Sequence, residues 1–184
     1  MTRLPTPPPW LAAVWPAAVG ALAVLYASLG GGASMRRSAI AWMMGSWGAR
    51  MAVQQFYTRT SDLPPRTSYL VLLTSALALS TPALLASRNP DPSLAPVEIG
   101  AAVLWMLMFA GETTADRQRL RFMSNPEHAG LACRTGVWRV LPRAHAVFEV
   151  MIWISFALFA CASPWGWIAA ACPAAMLYLL TRRG

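Results

Sequence analysis

Acidic side chains interrupt two otherwise apolar stretches in the C-terminal half of the chain, and they are the residues best suited to chemistry. Glu112 and Asp116 are four residues apart, so on one helix both carboxylates would lie on the same face. Glu149 lies about one turn inside the next apolar stretch, four residues after His145. A carboxylate at that depth is costly unless it is paired, so Glu149 is a candidate functional residue.

Six arginines lie between these two stretches, and a guanidinium group can bind phosphate through two parallel hydrogen bonds. They are Arg117, Arg119, Arg121, Arg134, Arg139 and Arg143. A phosphate-bearing ligand is one interpretation of this group. The alternatives are that the arginines mark the cytoplasmic side of a membrane protein or contact anionic headgroups. A further alternative is a structural ion pair of Arg139 or Arg143 with Glu149.

The sequence lacks the spacing of a metal site and the motifs of common soluble enzymes. The 3 cysteines form no C-x-x-C pair, and Glu127, His128 and Cys133 meet neither the ligand count nor the spacing of a zinc site, so no metal is expected. No G-x-G-x-x-G, P-loop, G-x-S-x-G or H-E-x-x-H occurs. Soluble dinucleotide, NTPase, hydrolase and zincin activities are therefore unsupported.

The composition is that of a membrane protein. Of the 184 residues 57% are hydrophobic and 12% charged, against about a quarter charged in soluble domains. Six segments approach the roughly 20 apolar residues that cross a bilayer as a helix; they are 10–31, 39–57, 68–87, 97–115, 146–162 and 165–181. The sequence predicts an all-α polytopic membrane bundle of about six transmembrane helices, with residues 1–184 as a single integral membrane domain.

The second predicted span has small residues at helical spacing and one buried charge. The small residues would let a neighbouring helix approach closely; they are Ala41, Gly45, Gly48, Ala49 and Ala52. Arg50 should face protein, water or an anionic partner, because a guanidinium inside a membrane is costly. The alternative is that Arg50 reaches towards the loop that carries Arg59 and Arg66.

The distribution of arginine predicts the orientation and the partners. With the N-terminus inside, eleven arginines lie in inner segments and three in outer ones, so both termini are expected in the cytoplasm and the protein in the inner membrane. A formal charge of +8 would suggest nucleic acid for a soluble protein. Because the arginines lie between apolar spans, membrane lipid is the expected partner and nucleic acid is not.

The C-terminal half contains three short motifs that carry a family resemblance. They read E-x-x-x-D-x-Q-x-x-R-F, then N-P-x-x-x-G, then G-x-W-R followed by a later Glu. The matching residues are Glu112, Asp116, Gln118, Arg121, Phe122, Asn125, Pro126, Gly130, Gly136, Trp138, Arg139 and Glu149. Over residues 105–180 the chain resembles the C-terminal domain of the steroid 5-alpha-reductase family, in particular its bacterial membrane branch of unknown function, which is related to isoprenylcysteine carboxyl methyltransferases. Trp47, Gly48 and Arg50 also look like the W-G-x-R motif of the family's upstream half.

The resemblance implies an NADPH-dependent reductase of a lipid-like carbon–carbon double bond, of steroid or isoprenoid type, whose substrate occupies an apolar chamber. The residues that it implies for the cofactor are Glu112, Asp116, Arg121, Arg139, Arg143, His145 and Glu149. Arginines would bind the phosphates, and carboxylates would bind the ribose or the nicotinamide amide. No catalytic residue or proton donor is identified.

The chain departs from the family at one motif. The family's R-H-P-N-Y aligns with residues 142–146, where its His, Asn and Tyr are replaced. The sequence also stops at Gly184, right after the last predicted span, where family members usually continue into a polar tail. A catalytically silent membrane scaffold or lipid-binding protein is therefore one alternative. Methyl transfer from S-adenosylmethionine is the other, because the related methyltransferases share this C-terminal layout.

Overall fold

The computed structural model describes residues 9–58, 69–128 and 130–182, with side chains over 14–55, 73–128 and 130–178. Every regular element in these ranges is helical, so the predicted all-α class is confirmed there. The α-helices are α1 (Pro9–Leu29), α2 (Ser34–Thr58), α3 (Tyr69–Leu79), α4 (Thr81–Ala86), α5 (Pro96–Met123), α6 (Val137–Val140), α7 (Ala144–Cys161) and α8 (Ala171–Arg182). Short 3-10 helices span Pro126–His128 and Gly166–Ala170.

Two of the described helices, α5 and α7, are long and apolar enough to cross a membrane. Only 22% of the apolar window of α5 is buried within the protein, against 50% for α7. The prediction of six spans is therefore not confirmed. Helix α2 is continuous over 25 residues but carries three arginines, and the predicted third and sixth spans are both interrupted.

The predicted span 68–87 is divided into α3 and α4 by a proline. Pro82 has no N–H to donate to the carbonyl of Ala78, four residues earlier, so one helical hydrogen bond is missing. The thiol of Cys172 donates to that carbonyl oxygen instead, with the sulfur 3.7 Å from it. The Ser80 hydroxyl donates to the carbonyl of Leu77 at 3.0 Å. These contacts satisfy the backbone at the break, as a polar group in an apolar surrounding requires.

Helices α1 and α2 pack in antiparallel orientation through glycine. Gly20 faces Gly48, and Val24 faces Gly45, so the order along one helix is reversed along the other. A Cβ atom on Gly48 would lie 2.6 Å from the carbonyl oxygen of Pro16. The close approach predicted from the small residues of the second span is thus present at Gly48.

Helices α2 and α5 run parallel and in register. Arg36 pairs with Glu98, and Arg50 pairs with Glu112. Each partner is 14 residues from the next on its own helix, which corresponds to about 21 Å along an α-helix. Helix α7 runs antiparallel to α5, because His145 at its start lies beside Asp116, whereas Phe148, further along α7, lies against Gly111, earlier on α5.

Arg36 holds the connection between α4 and α5 at one end of the bundle. Its side chain is 1% exposed and donates to the carbonyl oxygens of Asp91 (2.5 Å) and Ser93 (2.7 Å), as well as to both oxygens of Glu98. Hydrogen bonds from the backbone N–H and the hydroxyl of Ser93 lower the pKa of Asp91. This end of the bundle, called the Arg36 end, is therefore closed by polar contacts.

Candidate functional site

Three helices each contribute a pair of polar residues at helical spacing to one place. Trp47 and Arg50 are three apart on α2, and Glu112 and Asp116 are four apart on α5. On α7 the pair is His145 and Glu149, which are also four apart. Residues three or four apart share a face of a helix, so each pair points the same way. We call these six residues the carboxylate cluster.

Arg50 bridges the carboxylates of Glu112 and Asp116 on α5. Its Nη1 donates to Asp116 Oδ2 at 2.7 Å, and its Nη2 pairs with Glu112 Oε2. The guanidinium carbon also lies 5.4 Å from the centre of the Phe109 ring, an arrangement that favours a cation. Of the two interpretations of Arg50, the structure agrees with the one in which its guanidinium contacts acidic groups of the protein itself.

His145 faces the other oxygen of each of these carboxylates. Its Nδ1 lies 3.2 Å from Glu112 Oε1 and 3.3 Å from Asp116 Oδ1. One ligand atom from each of the three residues lies within 4.8 Å of those of the other two. The expectation that Glu112 and Asp116 share one helix face is confirmed, because both contact Arg50 and both face His145.

Glu149 is the third carboxylate, and its partners are tryptophans. Trp153 Nε1 donates to Oε1 at 2.8 Å, and Trp47 Nε1 donates to Oε2 at 3.4 Å. The two indole rings pack edge to face with centroids 5.1 Å apart. Phe156 extends this aromatic group, with its ring centroid 5.4 Å from that of Trp153. Glu149 is thus held by neutral donors at the border of the apolar core.

The interpretation of Glu149 as the partner of Arg139 or Arg143 is wrong for the described residues. Both arginines are exposed, and the carboxylate is 6% exposed and faces the tryptophans instead. The structure also leaves Arg121 exposed and outside the carboxylate cluster. Of the seven residues implied for cofactor binding, four therefore come together: Glu112, Asp116, His145 and Glu149.

One exposed arginine, Arg119, lines a cavity beside the carboxylate cluster. The cavity measures about 480 Å³, and its lining includes Arg119, His128 and Trp138. Trp138 Nε1 donates to the carbonyl of Ala115 at 2.8 Å, and the guanidinium of Arg119 lies 5.7 Å from the indole ring. The cavity thus adjoins the turn of α5 that carries Asp116.

A tight turn fixes the wall of this cavity. Gly136 has φ +56°, a left-handed conformation that favours glycine, and a Cβ there would lie 2.4 Å from Gln118 Oε1. That oxygen accepts a hydrogen bond from the backbone N–H of Val137 at 2.9 Å. The turn brings the short helix α6, and with it Trp138, against α5.

The sequence did not assign two of the groups that hold the cluster together. The role of Trp47 as a donor to Glu149 depends on the packing of α2 against α7, which no local pattern reveals. Trp153 lies four residues after Glu149 on the same helix, so helical spacing was the signal that could have indicated its contact. The Arg36–Glu98 pair was also missed. One signal existed: the separation of Arg36 from Arg50 equals that of Glu98 from Glu112, which indicates two parallel helices with matched charges.

Comparison with known protein families gives one match. Residues 66–184 match the family described as a protein of unknown function, DUF1295. The chain belongs to the DUF1295 family. The match includes α3 to α8, and with them Glu112, Asp116, His145 and Glu149, while Trp47 and Arg50 precede it. No curated protein and no solved structure matches the chain. Membership in DUF1295 assigns no activity.

Proposed function

We propose that this protein is an integral membrane enzyme that reduces a lipid-like carbon–carbon double bond with NADPH. The observation that carries the proposal is the carboxylate cluster, in which Glu112 is fully buried, Asp116 is 8% exposed and Glu149 is 6% exposed. Ionisable groups placed inside apolar helices are costly and commonly mark a functional site. The W-G-x-R motif and the C-terminal motifs, separate in sequence, meet in this cluster.

A membrane location is supported by the outer surface of α5. Ile99, Val103, Met106 and Leu107 are all exposed, and Leu107 is 61% exposed. Apolar side chains along one helix face are expected to be covered, and lipid would cover them. We propose a bundle of about six membrane segments in the inner membrane, with the arginine-rich loop 124–143 and both termini in the cytoplasm.

The donor set next to the cluster fits the chemistry of a nucleotide cofactor. Arg119 lines the cavity of about 480 Å³. Arg139 and Arg143 are close to the cavity residues in sequence and are exposed, so their guanidinium groups are accessible to a phosphate. The carboxylates of Asp116 and Glu112 would accept hydrogen bonds from ribose hydroxyls or an amide. When bound, NADPH would supply a hydride. The protein would bind and orient it and exclude water.

NADPH titration of the purified protein in detergent tests this proposal. We expect saturable binding in the wild type and at least tenfold weaker binding in Arg119→Ala and Arg139→Ala. Arg88→Ala is the matched control, because Arg88 is an exposed arginine near the Arg36 end, and its affinity should be unchanged. No saturable binding, or equal binding by all four proteins, would refute a reductase.

The same titration separates the alternatives. Binding of S-adenosylmethionine in place of NADPH would identify a methyltransferase, and binding of neither would favour a silent scaffold. The altered motif at residues 142–146, where Ala146 supplies no polar group, is the feature that favours the scaffold. Reporter fusions at residue 130 and at the C-terminus test the orientation, since a periplasmic signal at either would contradict it.

A further inference from the structure

We infer that Glu112, Asp116 and His145 form a binding site for one divalent transition-metal ion. Glu112 Oε1 and Asp116 Oδ1 face His145 Nδ1 at 3.2 and 3.3 Å. Two ligands bonded to the same ion at about 2.0 to 2.2 Å lie about 2.8 to 3.6 Å apart, depending on the coordination geometry. The two separations from His145 Nδ1 fall within that interval.

At these distances a protonated His145 would form ion pairs with both carboxylates, but two of the atoms lack a hydrogen bond of regular geometry. Glu112 Oε1 and His145 Nδ1 are both buried, and neither has a hydrogen-bond partner among the described residues. The Glu112 side chain is 0% exposed, so water does not reach it from outside. A buried carboxylate oxygen without a donor is costly. An ion between the three atoms would satisfy all of them together.

Arg50 prepares this arrangement and does not compete for it. Its guanidinium uses Glu112 Oε2 and Asp116 Oδ2, and so leaves the other oxygen of each carboxylate directed at His145. Groups that orient the ligands of an ion in this way usually contact the remote oxygen or nitrogen of each ligand. Arg50 therefore has the position of an orienting residue outside the site.

The net charge of the carboxylate cluster suits a divalent cation. With His145 neutral, the carboxylates of Glu112, Asp116 and Glu149 contribute three negative charges, and Arg50 contributes one positive charge. The balance of two negative charges would be cancelled by one divalent ion. Glu149 is not a ligand in this arrangement, because Trp47 and Trp153 donate to its oxygens.

The ligand types identify the class of ion. One imidazole nitrogen and two carboxylate oxygens are donors for zinc, iron(II), manganese(II) or cobalt(II). Three protein ligands leave positions open for water or a substrate, as in catalytic metal sites. Glu112 and Asp116 are also the carboxylates proposed to contact the cofactor, so the metal is titrated in the absence of NADPH, and none of the arginines proposed for phosphate binding is a ligand of the ion.

Metal titration of the full-length protein in detergent tests the inference. The protein is purified without a histidine tag, stripped with chelator and titrated with Zn²⁺ by calorimetry and with Co²⁺ by visible absorption. We expect one ion per chain, and at least about tenfold weaker binding in His145→Ala, because loss of an outer partner alone usually costs 10- to 100-fold. His128→Ala is the matched control and should bind as the wild type does.

The His128→Ala variant also identifies the ligand without altering the site. The chain has 2 histidines, so any imidazole bound to zinc in this variant must come from His145. X-ray absorption of the zinc-loaded variant should show one imidazole nitrogen and oxygen donors, with no sulfur. This measurement decides the question even if His145→Ala does not fold, which circular dichroism would reveal.

Several results would overturn the metal site. They are the absence of saturable Zn²⁺ or Co²⁺ binding, a metal shell without imidazole or with sulfur, and equal affinity in wild type and folded His145→Ala. Absence of metal binding would mean that protons balance the carboxylates. The metal titration contains no nucleotide and the NADPH titration contains no metal, so the failures of the two proposals can be told apart.

Discussion

Replacement of Arg36 by alanine should destabilise the protein more than replacement of any exposed arginine. The guanidinium makes five hydrogen bonds, to both oxygens of Glu98 and to the carbonyls of Asn89, Asp91 and Ser93. In Arg36→Ala the Glu98 carboxylate, which is 0% exposed, would retain only the donor at the backbone N–H of residue 95. A buried ion pair that loses one partner costs about 3 to 5 kcal/mol.

The free energy of unfolding would be measured by titration with a denaturing detergent and followed by circular dichroism. Arg37→Ala is the matched control, because Arg37 is only half-buried and donates to the carbonyls of Gly30 (2.9 Å) and Ala27 (3.5 Å). Its loss should cost about 1 kcal/mol, the usual net value of a hydrogen bond. A second readout is tryptic cleavage after Arg88, which should accelerate in Arg36→Ala because the adjoining loop loses its anchor.

A double variant tests whether the cost comes from the unpaired carboxylate. Arg36→Met combined with Glu98→Leu removes both charges and should recover much of the stability lost in Arg36→Ala, because apolar replacement of a buried pair is often neutral. The reasoning is refuted if Arg36→Ala costs no more than Arg37→Ala. It is also refuted if the double variant is less stable than either single one.

Two further predictions concern helix packing and the wall of the cavity. Gly48→Ala should cost about 1 to 3 kcal/mol by forcing α1 and α2 apart, because the added Cβ would meet the Pro16 carbonyl at 2.6 Å. Gly100→Ala, where no atom lies within 4 Å, should stabilise α5 by up to about 1 kcal/mol in the same titration; a similar loss in both variants would contradict the packing. Trp138→Phe should cost about 0.5 to 1.5 kcal/mol by removing the 2.8 Å hydrogen bond to the Ala115 carbonyl; an unchanged free energy would mean that this bond contributes nothing.

The candidate site illustrates which contacts a sequence can predict. The spacing of Glu112 and Asp116 was sufficient to place both carboxylates on one face, since the repeat of a helix is fixed by the backbone. The partners of those carboxylates were not predictable in the same way. Arg50 is 66 residues away from Asp116, and Trp47 is 102 residues away from Glu149. Such pairs depend on how helices pack, not on any local repeat.

The arginines show the opposite error. Their number between the two apolar stretches suggested that they meet the carboxylates at one site, and in the fold they do not. Arg121, Arg139 and Arg143 lie close to the carboxylates in sequence, yet all three are exposed outside the carboxylate cluster. A long guanidinium side chain at the end of a helix is easily solvated, so nothing draws it inward. The guanidinium that does enter the cluster is that of Arg50 on α2, where the register with α5 places it between two carboxylates and leaves its side chain 13% exposed.

Composition and hydrophobic patterning alone are sufficient to predict that the chain forms apolar helices and that few charges lie within them. The sequence also determined the spacing of the acidic pairs, because hydrophobic periodicity and helical repeat are properties of the local chain. The tertiary structure alone decided that α2 and α5 are parallel, that Arg36 closes one end, and that Arg50 and His145 take opposite oxygens of the same carboxylates. Those features result from side-chain packing between segments far apart in sequence, where the cost of burying charge selects one arrangement.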